Sequence, residues 1–187
     1  TIAGLRIRRQ QALSQQHIAS QIIRLHVIAN SDETEDQTLK KEVKDQVVTY
    51  LRSKMNQAAS IQAARQVICQ EMDALKEVAE KKIRQEGYDY PVTVSLGTTY
   101  FPVKEYGDMA FPAGDYEALR VQIGESKGRN WWCVMYPSLC LVDGVYQTVP
   151  ENSKDKLKQV LSTSEYQSLV DGGEDVQFRL RFLDWLF

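Results

Sequence analysis

The sequence lacks an excess of basic residues. Lys and Arg together number 23 and Asp and Glu together number 25 among the 187 residues, which gives a formal net charge of −2. Proteins that hold DNA or RNA by its phosphates normally carry a surplus of Lys and Arg on one face. The charge balance therefore argues against nucleic-acid binding.

Long apolar runs are also missing. No stretch of the sequence approaches the roughly 18 apolar residues that a membrane-spanning helix needs. The first residue is Thr1 rather than methionine, and an N-terminal signal or membrane anchor is a common kind of segment before such a start. We therefore expect that the chain follows a targeting segment.

Histidine and cysteine are scarce, with two and three residues respectively. A cysteine enzyme needs a base, usually histidine, beside its thiolate. However, His17 lies in a poorly specified N-terminal segment and His26 in the middle of a predicted strand. A zinc site needs about four Cys or His ligands at short spacings, and the sequence has no such set. We predict no metal site, no cofactor and no catalytic residue.

Two other kinds of chemical site receive little support. Gly124 and Gly128 bracket a turn that leads into a predicted strand, whereas a phosphate-binding loop opens a helix. Carboxylates cluster at residues 32–36, where the positive end of a predicted helix favours them, and Asp115 lies in a predicted turn. A pair of catalytic carboxylates is not indicated by any pattern. An extracytoplasmic hydrolase that uses such a pair is kept as the alternative function.

Hydrophobic periodicity predicts the secondary structure. Alternating apolar positions predict a first strand over residues 21–30, and apolar stripes predict helices over residues 36–55 and 60–86. Further strands are predicted at residues 92–96, 119–123, 131–136 and 176–182, with one or two short helices before the last strand.

The order of these elements predicts the fold class. It is typical of an α/β (α+β) fold, in which a mixed β-sheet of about five strands has two long helices and one or two short helices packed on it. Residues 1–20 are predicted to form an N-terminal arm or a weak helix. No repeat or linker divides the rest, so we predict a single domain over residues 21–187.

The segment GESKGRNWWCVMYPSLCLVDG, residues 124–144, is the least ordinary part of the sequence. Cys133 lies in a predicted strand, and the turn YPSLC can return the chain so that a disulfide to Cys140 closes a loop of eight residues. On the chain-entropy estimate, such a bridge stabilises a fold by about 2.5 kcal/mol. Two buried, reduced cysteines are the alternative. Cys69 is interpreted as a small residue at the edge of its helix.

Two long stretches of the chain resemble a known family. They are IRLHVIANSDETEDQTLKKEVKD and FPVKEYGDMAFPAGDYEALRVQIGESKGRNWWCVMYPSLCLVD. Together with the helix between them, they are similar to stage II sporulation protein R, SpoIIR. The resemblance extends from about Ile22 to the predicted C-terminal strand, and the residues before it do not share it.

The resemblance implies a non-enzymatic signalling protein of endospore formation. Members of the family are made in the forespore and exported into the space between the forespore and mother-cell membranes. There they are needed for activation of the membrane-embedded aspartic-type protease SpoIIGA, which removes the pro-sequence of pro-sigma-E. The resemblance thus implies a protein peripheral to a membrane, with no small-molecule substrate. An extracytoplasmic location permits cysteine oxidation, so we predict a Cys133–Cys140 disulfide and a free Cys69.

The two adjacent tryptophans point to a partner-binding surface. Side chains alternate along a strand, so the indoles of Trp131 and Trp132 must lie on opposite faces. We predict that one packs under the helices and that the other lies at the surface, unless a second helix layer or the N-terminal arm covers it. Tryptophan and arginine are enriched at binding hot spots. The predicted partner-binding residues are Lys127, Arg129, Asn130, Trp131 and Trp132.

Overall fold

The structure is a computed structural model that describes residues 2–55, 58–137, 139–140 and 148–172. Its elements follow in the order α1 (Ile2–Ser20), β1 (Ile23–Ile28), α2 (Thr34–Met55), α3 (Ile61–Gln70), α4 (Met72–Gln85), β2 (Val92–Phe101), β3 (Lys104–Tyr106), β4 (Met109–Phe111), β5 (Gly114–Ile123), β6 (Asn130–Tyr136), α5 (Glu151–Val160) and α6, which includes residues 163–172.

The described strands form two sheets. The larger sheet has the strand order β2-β5-β1-β6, in which β1 is parallel to β5 and antiparallel to β6. The smaller sheet is the antiparallel hairpin of β3 and β4. These elements confirm the predicted α+β class with a mixed sheet. The mixed sheet has four strands in the described residues, and the strand predicted over residues 176–182 lies outside them.

The long helices differ in one respect from the prediction. α2 follows the predicted helix closely, but the helix predicted over residues 60–86 is divided into α3 and α4 at Glu71, where φ is −98° and ψ is 3°. The Glu71 carboxylate is tied to α2, because it accepts hydrogen bonds from the Tyr50 hydroxyl at 2.5 Å and from Lys54 Nζ at 2.8 Å. The apolar stripe continues through the break, which is why periodicity alone predicted one helix.

The described chain divides into two compact units. The first comprises residues 2–21, 100–116 and 148–172 in its described part, and the second comprises Ile22–Thr99 and Glu117–Cys140. This division does not test the prediction of a single domain over residues 21–187, which stays a prediction. The residues predicted as an arm or weak helix form α1.

In the second unit, α2, α3 and α4 cover one face of the mixed sheet. This face is apolar, and its central side chains are fully buried and paired in register between β1 and β5. Burying one aliphatic side chain of this size contributes roughly 1.5–3 kcal/mol, so this layer stabilises the unit strongly. The buried side chains of the layer include Leu25, Val27, Leu119, Val121, Val43, Val47, Leu51, Ile68, Leu75, Ala79 and Ile83.

In the first unit, side-chain hydrogen bonds join short elements. Asp108, in the turn between β3 and β4, accepts hydrogen bonds from Lys154 Nζ at 2.6 Å and from the Val149 amide at 2.7 Å. His17 of α1 lies 2.9 Å from Glu165 of α6. Strands β3 and β4 have three residues each, which is too short for an alternating pattern, and the sequence did not predict them.

Candidate partner-binding site

The sheet face opposite the helices of the second unit carries polar side chains. Residues paired between neighbouring strands point to the same face, so the register arranges these side chains in three parallel rows. The rows are Arg120–His26–Trp132 in the middle, Gln122–Ile28–Asn130 on one side and Ala118–Arg24–Val134 on the other, each running from β5 through β1 to β6.

The middle row contains a stacked pair of aromatic rings. The imidazole of His26 and the indole of Trp132 have centroids 3.9 Å apart and planes inclined by 17°. His26 Nε2 also lies 2.9 Å from Asn130 Oδ1, which holds the imidazole plane in position. His26 is almost fully buried, whereas Trp132 is half-buried and Asn130 is exposed. The pair is therefore an ordered stack in which the imidazole is buried and the indole is partly exposed.

The surroundings of His26 disfavour its charged form. Burial lowers the pKa of His26 below its ordinary value, and the positive charge of Arg120 lowers it further. The hydrogen bond to Asn130 raises the pKa but does not offset these effects. A neutral imidazole avoids a buried charge beside Arg120, so the row carries its positive charge at Arg120.

Trp131 lies on the other face of β6, against α2. The Lys44 ammonium of α2 is 4.6 Å from the centroid of the Trp131 ring, a cation–π geometry. Lys44 is buried, and the indole Nε1 of Trp131 is buried as well. The two tryptophans thus point to opposite faces, with Trp131 on the helix side and Trp132 on the polar face.

The turn before β6, residues 124–129, is held by the turn after β1. The amides of Lys127 and Gly128 donate to the carbonyls of Asn30 and Ala29, at 3.1 Å and 3.0 Å. The Glu125 amide donates to Asn30 Oδ1 at 2.9 Å. Backbone groups of the two turns are therefore paired with each other. The turn of residues 124–129 is held in place without help from its own exposed side chains.

A buried carboxylate fixes the turn after β1 in its own right. Asp36 Oδ2 accepts hydrogen bonds from Asn30 Nδ2 at 2.8 Å and from Ser31 Oγ at 2.6 Å. Burial raises the pKa of Asp36, but hydrogen bonds from Ser31, Asn30 and Tyr90 outweigh it and hold the pKa below its ordinary value. The ionised carboxylate thus orders Asn30, which in turn holds residue 125.

Two glycines permit the close approach of these turns. Gly124 has φ of +55°, and a Cβ there would collide with the Asn30 side chain. A Cβ at Gly128 would collide with the backbone carbonyl of Ser31. A glycine is needed at 128 because the obstructing atom is backbone, which cannot rotate away.

The predicted cations Lys127 and Arg129 project from this turn. Their side chains are 75% and 74% exposed, and each lies near an exposed carboxylate, Glu125 for Lys127 and Asp32 for Arg129. Exposed ion pairs of this kind contribute about 0–1 kcal/mol, so a partner can replace them at little cost. The Arg129 backbone is more firmly held, since its carbonyl accepts from Lys40 Nζ at 2.8 Å.

The five predicted partner-binding residues thus occupy three places. Asn130 and Trp132 belong to the polar face, Trp131 packs against α2, and Lys127 and Arg129 lie on the preceding turn. The sequence analysis did not include Arg120 and Gln122 among these residues, and it interpreted His26 as a strand residue rather than a catalytic base. The alternation in β1 and β5 was visible, but only the parallel register places Arg120 beside His26.

Cys133 and Cys140, which the sequence analysis paired, are joined in a disulfide, with their Cα atoms 5.1 Å apart. Cys69 is a free, exposed cysteine on α3. Cys133 follows Trp132 directly in β6 and lies on the apolar face of the sheet. The bridge therefore ties the middle of β6 to Cys140, which follows the strand.

Two cavities bear on the hydrolase alternative. The larger, of about 580 Å³ in the first unit, has a lining of Gln, Ser and apolar side chains, with no ionisable group among its described residues. A smaller one beside α2, of about 250 Å³, has the three carboxylates of Glu35, Glu42 and Glu86 in its lining. Two of them, Glu42 and Glu86, lie within ion-pair distance of Lys82, at 2.9 Å and 2.5 Å. These two carboxylates raise the pKa of Lys82, and the hydrogen bond that Lys82 donates to Glu86 is the largest cause. The arrangement is that of an ion-pair cluster.

Two further observations cover the described ranges. None of the helices described there is long and apolar enough to cross a membrane. Within the same ranges, His, Cys, Asp and Glu side chains do not form a group of three or more that could hold a metal ion.

Comparisons with known proteins give one consistent result. Residues 19–146 match the protein family described as Stage II sporulation protein R (spore_II_R). The chain is also 37% identical over 139 residues to "Stage II sporulation protein R" of Bacillus subtilis (strain 168). That alignment covers 74% of this chain and 62% of the relative, so the chain spans less than two thirds of the relative's length. No solved structure matches the chain.

Proposed function

This chain belongs to the stage II sporulation protein R family, and from this premise we propose that it is an intercellular signal of endospore formation that works by binding. It is exported from the forespore into the space between the forespore and mother-cell membranes. There it binds the membrane-embedded protease SpoIIGA and activates it, so that pro-sigma-E is processed. The protein itself contributes a binding surface and no catalytic group.

The observation that carries this proposal is the stacked pair of His26 and Trp132 on the polar face. A half-buried indole held at 3.9 Å from an imidazole is an ordered aromatic surface. Binding to it costs little side-chain entropy, because the rings are already fixed. Tryptophans in such settings are typical hot spots, with losses of about 2 kcal/mol or more on truncation. Asn130 at the start of β6 and the cations Lys127 and Arg129 on the preceding turn extend the surface.

The family resemblance and the cavity chemistry support the same conclusion. The larger described cavity has no ionisable lining group, and two of the three carboxylates that line the cavity beside α2, Glu42 and Glu86, form ion pairs with Lys82. A hydrolase would need two titratable groups with separated roles in a cleft. A protein–protein surface needs instead a fixed aromatic anchor with polar neighbours, which is what the polar face supplies.

The proposal is tested by pro-sigma-E processing in sporulating cells. Trp132→Ala should leave the protein folded and at normal abundance while mature sigma-E fails to accumulate on immunoblots. Tyr100→Ala is the matched control, because Tyr100 is an aromatic residue that is 61% exposed and does not belong to the three rows of the polar face. Normal processing with Trp132→Ala would mean that the signalling surface lies elsewhere.

A further inference from the structure

One edge of the mixed sheet is open in the described part of the chain. β2 is the outermost strand on its side of the sheet, where it pairs with β5, and no other described strand pairs with its outer side. The part of β2 that belongs to the second unit is residues 92–99, which we call the β2 edge. Among these residues, Val92 alone is buried. The outer N–H and C=O groups of such a strand form a row to which a further strand can be added.

The β2 edge lacks the features that keep edge strands from pairing. Natural edge strands are protected by charged residues, proline, bulges or a covering segment. The β2 edge has the sequence VTVSLGTT, which contains no charged residue and no proline. Gly97 does not have the positive φ of a glycine bulge, and a Cβ at this position would have no neighbour within 4 Å. The strand is therefore regular and unobstructed at its centre.

The strand at the opposite edge of the sheet, β6, is partly closed by its own chain. The Leu139 amide, which follows the strand, donates a hydrogen bond to the carbonyl of Val134 within it, at 2.9 Å. The disulfide from Cys133 to Cys140 keeps this segment beside the strand. The two edges thus differ, and the β2 edge is the one that offers a longer row of backbone groups to another chain.

The side chains of the β2 edge make the strand complementary to itself. Alternate residues of a strand share a face, so one face carries a mainly apolar row and the other a row of hydroxyl-bearing residues and glycine. When two copies run antiparallel with Leu96 opposite Leu96, each row meets the same row of the second copy. Val94 then faces Thr98, and Thr93 faces Thr99. Pairs of β-branched or threonine side chains are favourable across strands, and opposed like charges are absent. The rows are Val92, Val94, Leu96 and Thr98 on one face, and Thr93, Ser95, Gly97 and Thr99 on the other.

We propose that two copies of this chain pair through their β2 edges, antiparallel and with Leu96 on the two-fold axis, so that the two mixed sheets become one continuous sheet. The inference does not rest on the proposed function. A two-fold axis brings the same surface of both copies together, which is what a self-complementary strand requires. The half-buried side chains of Val94 and Leu96 gain neighbours from the second copy, and the outer backbone groups gain hydrogen-bond partners.

The register and the size of the contact define the kind of dimer. A shift of one residue would place the apolar row of one copy on the side of the hydroxyl row of the other, so the pairing is specific to its register. The β2 edge provides eight residues from each copy, whereas standard stable interfaces use roughly 20–30 residues a side. The dimer therefore forms reversibly and depends on protein concentration.

The first experiment measures self-association of the full chain by sedimentation velocity. A Cys69→Ser background is used, because Cys69 is free and exposed and could join two copies by oxidation. Raising the concentration from about 5 μM to about 500 μM should convert monomer to dimer, as expected for a weak contact. Leu96→Lys and Leu96→Glu each oppose like charges on the axis and should weaken self-association about tenfold or more. A mixture of these two variants should form heterodimers, because opposite charges then meet.

A second experiment tests the register without charged variants. Leu96→Cys, in the same Cys69→Ser background, places two thiols opposite each other with Cβ atoms about 4.5–5.5 Å apart, so mild oxidation should join the copies. Thr98→Cys is the matched control. Thr98 is more exposed than Leu96, but it faces Val94 in the dimer, four residues or about 13 Å from the other Thr98. It should therefore cross-link far less than Leu96→Cys.

The results that overturn the proposal are distinct. A chain that stays monomeric at the highest concentration and does not cross-link at position 96 would overturn it and leave the β2 edge to an extended segment of a different protein. Equal cross-linking of Leu96→Cys and Thr98→Cys would show contact without this register. Folded Leu96→Lys and Leu96→Glu proteins that dimerise like the wild type, or that do not form heterodimers when mixed, would assign the contact to another surface.

Discussion

The indole of Trp132 covers the imidazole of His26, with ring centroids 3.9 Å apart, and so places a partly exposed ring over a buried titratable group. The two residues are partners in the β1–β6 register. Because stacking contributes to the burial of His26, a change in Trp132 must alter the titration of His26. The pair therefore offers a way to observe the surface through one histidine.

Removal of the indole should change the pKa of His26. Burial is the largest cause of its lowered pKa, so in Trp132→Ala the pKa should rise toward its ordinary value as water reaches the ring. NMR titration of the two histidines measures this directly, with the exposed His17 as the internal control. An unchanged titration of His26 would show that Trp132 does not shield it.

The stability of the protein should depend on His26 in mildly acidic solution. The pKa of His26 in the folded protein lies below the ordinary value of 6.5. Between the two values the unfolded chain therefore binds more protons than the folded one, and stability decreases as the pH is lowered. Stability should be fully present above pH 6.5 and decline as the pH falls through the folded pKa. Urea unfolding from about pH 7.5 to pH 5.5 should show this decline. His26→Gln should show a smaller decline, and an equal slope in both proteins would contradict the account.

The contact between the two turns is tested with a pair of glycines. Gly128→Ala should lower the free energy of unfolding by about 1–3 kcal/mol, because its Cβ meets the Ser31 carbonyl. Gly97→Ala is the matched control, since a Cβ at Gly97 has no neighbour within 4 Å. It should leave stability unchanged or raise it by up to about 1 kcal/mol, as Ala for Gly does in a strand. Equal urea midpoints for the two variants would disprove the close approach.

The disulfide gives a prediction about both chemistry and stability. Mass spectrometry of the unreduced protein should show a Cys133–Cys140 bridge and one alkylatable thiol at Cys69. Replacing both bridged cysteines by serine should cost about 2.5 kcal/mol on the chain-entropy estimate. Alkylation of all three cysteines in protein recovered natively after export would contradict the pairing.

Local patterns were sufficient to predict much of the fold. Alternation predicted the strands of the mixed sheet, and it required Trp131 and Trp132 to point to opposite faces. It could not show which indole meets α2, because that depends on the register of β6 against β1. The division at Glu71 was not predicted either, because its contacts with Tyr50 and Lys54 come from another helix.

The candidate site depends on longer-range relationships than these patterns contain. Arg120 and His26 become neighbours only through the parallel pairing of β1 with β5, and the sequence does not specify strand order. The turn of residues 124–129 is fixed mainly through backbone groups of Ala29 and Asn30, which carry no side-chain signature. Tryptophan and arginine composition predicted a partner-binding surface at the start of β6, whereas the residues on β1 and β5 that face it could be identified only from the structure.

The most direct test of the account is the affinity of the protein for its protease. Detergent-solubilised SpoIIGA is titrated onto immobilised wild-type, Trp132→Ala and Tyr100→Ala proteins that circular dichroism shows to be folded. The account expects wild-type and Tyr100→Ala to bind alike. Trp132→Ala should bind about thirtyfold more weakly, the equivalent of about 2 kcal/mol. Binding of Trp132→Ala with the affinity of the wild type would contradict the claim that the protein signals through its polar sheet face.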